Sequence, residues 1–357
     1  MDVIKDERRS SSRINMKKAI VQCADTGPLE SLVIMLRSIG YQCYTPSKSL
    51  RDELQREGCD TVLSIATLVN EWGYDPPMNL PEANPSMMDK CDLFVDIKAH
   101  RSYSKIVNAW PRLKDRILWY RINGGKPEHV INDRGDHGDE INPPCPVLTP
   151  NQWYKESGPW SPKAYACWPP FYRFDEYLPK HSRNAIASPM CLVHNLKGWG
   201  YGALIENFSK LGIGLYGLDS PNGLINHREI PHMLSRALCY IHLKSSDAPG
   251  YALYEALAAG CPVICTRRLI WRCNMQSLFS PGNSCLVYDR ETHEGLSDKD
   301  VEECTREVKQ HIETFKDPRE NARIGMNGRN RLKEVMWNET SQHDHISFER
   351  FMARHFP

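Results

Sequence analysis

Residues 245–266 read SSDAPGYALYEALAAGCPVICT. Pro249-Gly250 opens a helix, Gly260 closes it, and PVICT follows at once as a short apolar, β-branched strand. A helix running straight into a buried strand is half of a β-α-β unit, and such units build parallel sheets covered by helices. Gly250 leaves backbone amides unobstructed at the positive end of that helix, a place suited to a diphosphate. Asp247 stands just before the helix and Glu255 lies inside it, so one carboxylate is at the mouth and the other is over a turn deeper. The first is placed to grip sugar hydroxyls. The second is placed to accept both hydroxyls of a ribose.

The same alternation extends in both directions. Upstream, PMCLVHN (189–195) reads as a strand, KGWGYG as a glycine-rich turn, ALIENFSKLG as a helix and IGLYGL as a strand. REIPHMLSRA and LCYIHL then give another helix and strand. Downstream, helices run through DVEECTREVKQHIETF, PRENARIGMNGRNRLKEVM and a final SFERFMARHF. The N-terminal half repeats the pattern: strand KAIVQCA, a turn at Thr26-Gly27-Pro28, helix LESLVIMLRSIG, then strands at YQCYT, CDLFVDIKA and ILWYRIN, with an apolar run at DTVLSIATLV. Pro111 must end or kink any helix through SKIVNAWPRLKD. The chain divides into a flexible lead-in at 1–16, a first α/β domain at 17–180, a second α/β domain at 181–336 and a helical tail at 337–357. The prolines of WPPFYRFDEYLP mark the passage between the two large parts.

Composition agrees. The 357 residues suit two domains, with 41% apolar and 25% charged residues and a net charge of +1. Such a balance does not describe a protein that binds any polyanion it meets. The 13 cysteines are scattered with no C-x-x-C pair, which reads as reduced, buried thiols rather than a zinc site or disulfide framework. No apolar run approaches the roughly 18 residues of a membrane span, and the charged start lacks a signal-peptide core. The expected location is the cytoplasm, or the host cytoplasm for a viral protein.

The quoted stretch resembles the E-x7-E signature of retaining GT-B glycosyltransferases, especially family 4. Asp247-x7-Glu255 takes the place of the two glutamates, and PGYALYEALAAGCPV is similar to the family's G-[FY]-x-x-x-E-A-x-A-x-G-x-P-V. VHNLKGWG resembles the strand and Lys-Gly loop that meets the donor diphosphate, and VMWNETSQHDHISFERF resembles the helix that crosses back. The resemblance covers about residues 165–357. Asp247 is one methylene shorter than the family's glutamate, and His194 and Asn195 stand where an arginine is usual. The resemblance implies an α/β, GT-B fold: two Rossmann-like domains facing a central cleft. It also implies a retaining transferase that takes a hexose from a nucleotide-sugar of the UDP-glucose type. Lys197, Asp247, Glu255 and His100 are then the catalytic candidates. Asn195, Gly198, Gly200, Pro249, Gly250, Tyr251 and Glu255 are the donor-binding candidates.

The resemblance implies no metal and no cofactor beyond the nucleotide-sugar co-substrate. The acidic run NDRGDHGDE (132–140) lacks metal-ligand spacing and reads as a solvated loop. On the acceptor side, Asp96, Lys98 and His100 follow one strand end, and Arg121 and Asn123 follow the next. Residues 98–126 hold eight Lys or Arg against Asp115 alone, interleaved with Tyr103, Trp110, Trp119 and Tyr120. That bias reads either as a patch for an anionic acceptor (DNA, a phospholipid head group or an acidic glycan) or as a solvated face. The acceptor is thus a glycan or lipid hydroxyl, or a hydroxymethylated DNA base as in phage-type DNA glucosyltransferases. A non-catalytic nucleotide-sugar or glycan-binding protein of the same fold is the alternative. A dehydrogenase is disfavoured, because no G-x-G-x-x-G follows the first strand.

Overall fold

A computed structural model describes residues 16–22, 26–59, 80–97, 103–120, 144–149, 164–166, 174–179, 187–192, 202–217, 220–244, 250–272, 275–289, 297–337 and 348–357. The first part of the chain contributes β1 (Lys17–Gln22), α1 (Thr26–Ser38), β2 (Tyr41–Pro46), α2 (Lys48–Arg56), β3 (Glu82–Ala83), β4 (Leu93–Ile97), α3 (Tyr103–Ala109), β5 (Ile117–Tyr120), β6 (Val147–Thr149) and β7 (Ala164–Ala166). The strands form one sheet in the order β3-β2-β1-β4-β5-β6-β7, with every pair parallel. The second part contributes β8 (Met190–Leu192), α4 (Gly202–Lys210), β9 (Gly214–Tyr216), α5 (Ile230–Arg236), β10 (Tyr240–Ile241), α6 (Tyr251–Ala258), β11 (Val263–Thr266), α7 (Arg267–Arg272), β12 (Leu286–Tyr288), α8 (Asp298–Phe315) and α9 (Pro318–Trp337). Its sheet, also all parallel, runs β12-β11-β10-β8-β9. A last helix, α10, spans 348–355.

Alternation along each strand sorts the core into two layers per sheet. Ala19, Val21, Leu93 and Val95 face α1, while Ile20, Phe94, Ile117 and Trp119 face α2 and α3. In the second sheet Met190, Tyr240 and Val263 face α5 and α6, and Cys191, Ile241 and Ile264 face α4 and α8. Phe348, Phe351, Met352 and Phe356 pack with α1 in the core of the first sheet, so the chain returns to its first half as the resemblance implies. Lys17 Nζ donates to the Phe356 carbonyl at 3.1 Å.

Several boundaries differ from the sequence reading. Helix α1 begins at Thr26 rather than after Pro28, because a proline in a first turn has no hydrogen bond to lose. Pro111 ends α3, and a short 3-10 turn, Pro111–Leu113, carries the chain to β5. Helices α2 and α7 and strands β3 and β7 were not foreseen. The signal for α2 was present: Ser47 caps it through the Leu50 amide, and Leu50 and Leu54 form its buried stripe. The apolar run at 60–69 lies outside the described residues.

All ten described cysteines are free and buried. Burial pushes the Cys43 and Cys91 thiols up to about 12, and the Cys265 thiol is raised by its hydrogen bond to Cys285 and by burial. These thiols should stay silent to a thiol reagent at pH 8 and react only on unfolding. Because their folded pKa values lie above the unfolded one, their contribution is complete below about pH 9 and is lost as the pH rises toward 12. A melting temperature that holds to pH 9 and then falls is the expected profile; native reaction of the buried thiols at pH 8 would contradict it.

Candidate active site

In open parallel sheets, ligands bind beyond the carboxyl ends of the strands where the strand order reverses. The second sheet reverses between β8 and β10, which are neighbours while β9 lies on the far side of β8. The segments that follow those two strands are residues 193–200 and 242–249, which contain Lys197 and Asp247. The first sheet reverses between β1 and β4. The segment that follows β4 carries Lys98 and His100.

Helix α6 is the described centre of the second-sheet site. Gly250 stands before it with φ 64°, a left-handed conformation, and a Cβ there would lie 3.0 Å from the Leu253 side chain. At the far end Gly260 has φ 60° and donates to the Leu257 carbonyl, while Cys261 donates to that of Ala256. That is a Schellman closure, and it sends the chain directly into β11. The close fit continues outside the helix: a Cβ on Gly325 of α9 would sit 2.2 Å from the Gly260 carbonyl oxygen. Helix α9 can pack on α6 only because that position is glycine.

Glu255 is the one charge among the buried residues of α6 and is 4% exposed. An unpaired carboxylate in such a place would be very costly. Its Oε1 accepts a hydrogen bond from the Tyr177 hydroxyl at 2.9 Å and meets His227 Nε2, also at 2.9 Å. A carboxylate only accepts, so the imidazole carries its proton on Nε2. Tyr177 is fully buried in the connector between the sheets. Arg329 of α9 holds that connector, donating to the Tyr177 carbonyl at 2.6 Å and lying 4.0 Å from the Phe174 ring centre. Neither Tyr177 nor His227 figured in the sequence reading, since no spacing links residues so far apart in the chain. Glu255 is thus a buried, doubly contacted carboxylate and not a solvated helix residue.

Tyr251, the first residue of α6, reaches across to the first sheet's layer: its hydroxyl lies 2.5 Å from Ser31 Oγ on α1. Asp96 stands at the end of β4, in register with Gln22 of β1. It is 2% exposed. The expected sites Lys98, His100, Arg121, Asn123, Asn195, Lys197, Gly198, Gly200, Asp247 and Pro249 lie outside the described residues. So does the acidic run at 132–140.

Three of the four described cations of the 98–126 stretch make backbone contacts. Arg116 donates to the Cys91 carbonyl at 3.2 Å and lies 3.6 Å from Asp92, Lys105 donates to the Gly58 carbonyl, and Arg112 donates to that of Asp89. Trp110, Trp119 and Tyr120 are buried in the core, and so offer no stacking surface. Among the described residues, no group of three or more His, Cys, Asp or Glu is placed to hold a metal ion. Among the same residues, no helix is long and apolar enough to cross a membrane.

Residues 193–342 match a family described as glycosyl transferase-like. No curated protein sequence matches the chain. Among solved structures, the chain is similar to Anabaena HepE in complex with UDP and glucose (12% identity, 95% of this chain and 98% of that one, TM-score 0.59). It is also similar to sucrose-phosphate synthase from Thermosynechococcus elongatus (13%, 95% and 100%, TM-score 0.58). A third is WaaG, a glycosyltransferase involved in lipopolysaccharide biosynthesis (12%, 92% and 99%, TM-score 0.56). These likenesses give the fold, and the family match covers residues 193–342 of the second half. The chain therefore has the GT-B fold, and its second half is similar to glycosyl transferase-like proteins.

Proposed function

We propose that the chain transfers a hexose from a nucleoside-diphosphate sugar, of the UDP-glucose type, to an acceptor hydroxyl. The transfer retains the anomeric configuration and needs no metal. The observation that carries this reading is the buried Glu255 carboxylate, oriented from two sides within a helix that opens on a left-handed glycine. Glu255 takes the ribose, and the amides at Gly250 and Tyr251 face the diphosphate. Asn195, Gly198, Gly200 and Pro249 line the same donor site, and Asp247 takes the sugar hydroxyls. In the reaction the bond from the anomeric carbon to the diphosphate oxygen breaks and a bond to the acceptor oxygen forms. Negative charge grows on the departing diphosphate, where Lys197 and the helix end stabilise it. The UDP and glucose bound in the HepE structure support the donor class.

Asp96, Lys98, His100, Arg121 and Asn123 are proposed for the acceptor side. The backbone contacts of Lys105, Arg112 and Arg116 favour a glycan or lipid hydroxyl over DNA. The test is nucleotide release from UDP- and GDP-sugars, with and without hydroxymethylated DNA or a glycan or lipid acceptor. Release stimulated by the glycan or lipid acceptor is expected. Release stimulated by DNA would move the acceptor to the base-modifying class. No release with any donor would leave the non-catalytic binding reading in its place.

A further inference from the structure

We infer that Tyr177 and His227 are positioning residues for the donor nucleoside, holding Glu255 so that only its Oε2 is offered to the ribose. The inference rests on the proposed donor site. A glutamate carboxylate turns easily about its last bond, so its two oxygens are interchangeable unless something tells them apart. Here two donors from separate elements converge on one oxygen: the Tyr177 hydroxyl from the connector and His227 Nε2 from the 3-10 turn His227–Glu229, each at 2.9 Å. Among the described residues, Oε2 accepts no hydrogen bond. With Oε1 doubly engaged, a turn of the carboxylate would break both bonds, so Oε2 stays available and fixed. Preorganisation of this kind lowers the ordering cost of binding.

The arrangement also ties donor binding to the passage between the two sheets. Tyr177 belongs to residues 174–179, between β7 and β8, and the Arg329 guanidinium anchors the same segment through the Tyr177 carbonyl and the Phe174 ring. That anchor does not involve the hydroxyl. Tyr177→Phe therefore removes the bond to Glu255 while ring packing and the connector's attachment to α9 remain.

The experiment is calorimetric binding of UDP, GDP and pyrophosphate to the full chain and to Tyr177→Phe, His227→Ala, His227→Gln and Glu255→Gln. Pyrophosphate carries the anion without the ribose, so a positioning role predicts a selective effect. Tyr177→Phe and His227→Ala should weaken the bound nucleotide about tenfold and leave pyrophosphate unchanged, the loss expected for a hydrogen bond to a charged group. His227→Gln, whose amide can donate in place of the imidazole, should recover most of the affinity. Equal weakening of nucleotide and pyrophosphate would mean general damage and would overturn the inference, as would unchanged nucleotide affinity in both variants. If Glu255→Gln weakens the nucleotide while those two do not, the inference alone fails. If Glu255→Gln has no effect, or if the unaltered chain binds neither nucleotide, the donor-site reading fails with it.

Discussion

Replacing Glu255 by glutamine should lower kcat/KM for the donor sugar about 30- to 100-fold with little change in melting temperature. Glutamine keeps the volume of the side chain, and its amide oxygen can still accept from Tyr177 and His227. What it loses is the charge that strengthens a hydrogen bond to a ribose hydroxyl, an effect of about 1.5–3 kcal/mol for a charged partner. Alanine is a blunter change. It should abolish donor turnover, but it also strands the Tyr177 hydroxyl and the His227 N–H in a buried place, at about 1–3 kcal/mol for each unsatisfied group. The pair of variants, read by steady-state kinetics and thermal melting, separates the two effects. Wild-type turnover in Glu255→Gln would remove this residue from the site.

The second large effect is on stability. Gly325→Ala should destabilise the second half by at least about 3 kcal/mol, or roughly 6–12 °C in melting temperature. Alanine in a helix interior is worth about 1 kcal/mol more than glycine, so propensity alone predicts the opposite sign. Packing wins because the new Cβ would lie 2.2 Å from the Gly260 carbonyl oxygen, a backbone atom held in the Schellman closure of α6. Either α9 moves away or that closure opens. Since Arg329 of the same helix holds the connector at Tyr177, donor turnover should fall as well. Gly328→Ala is the milder control: its Cβ meets the movable end of Leu257 at 2.7 Å, although the Ser284 carbonyl lies 3.1 Å away. A Gly325→Ala protein as stable as the original would mean that α9 does not pack on α6 in this way.

Much of the fold could be read from the chain because its signals are local. Alternating strands and helices, Gly40 and Gly260 at helix ends, and Pro111 inside an apolar periodic stretch each act within a few residues. The elements that escaped notice are short, or, like β3 with two residues, receive their conformation from a neighbouring strand. The donor motif was equally local, since Gly250 and Glu255 lie on one helix. The partners of Glu255 were not, because Tyr177 and His227 meet it only once the connector and α6 are packed. The basic stretch left two readings open for a related reason. Sequence counts charges and aromatics, but only packing reveals that Trp110 and Trp119 are core and that Arg116 braces a turn at Cys91.

A crystal structure of the chain with bound UDP or GDP would test the central claim most directly. The account predicts the diphosphate at the amino end of α6, beside Gly250 and Tyr251, and a ribose hydroxyl within about 3.2 Å of Glu255 Oε2. A nucleotide bound elsewhere, or a ribose out of reach of Glu255 with Oε1 still held by Tyr177 and His227, would contradict it.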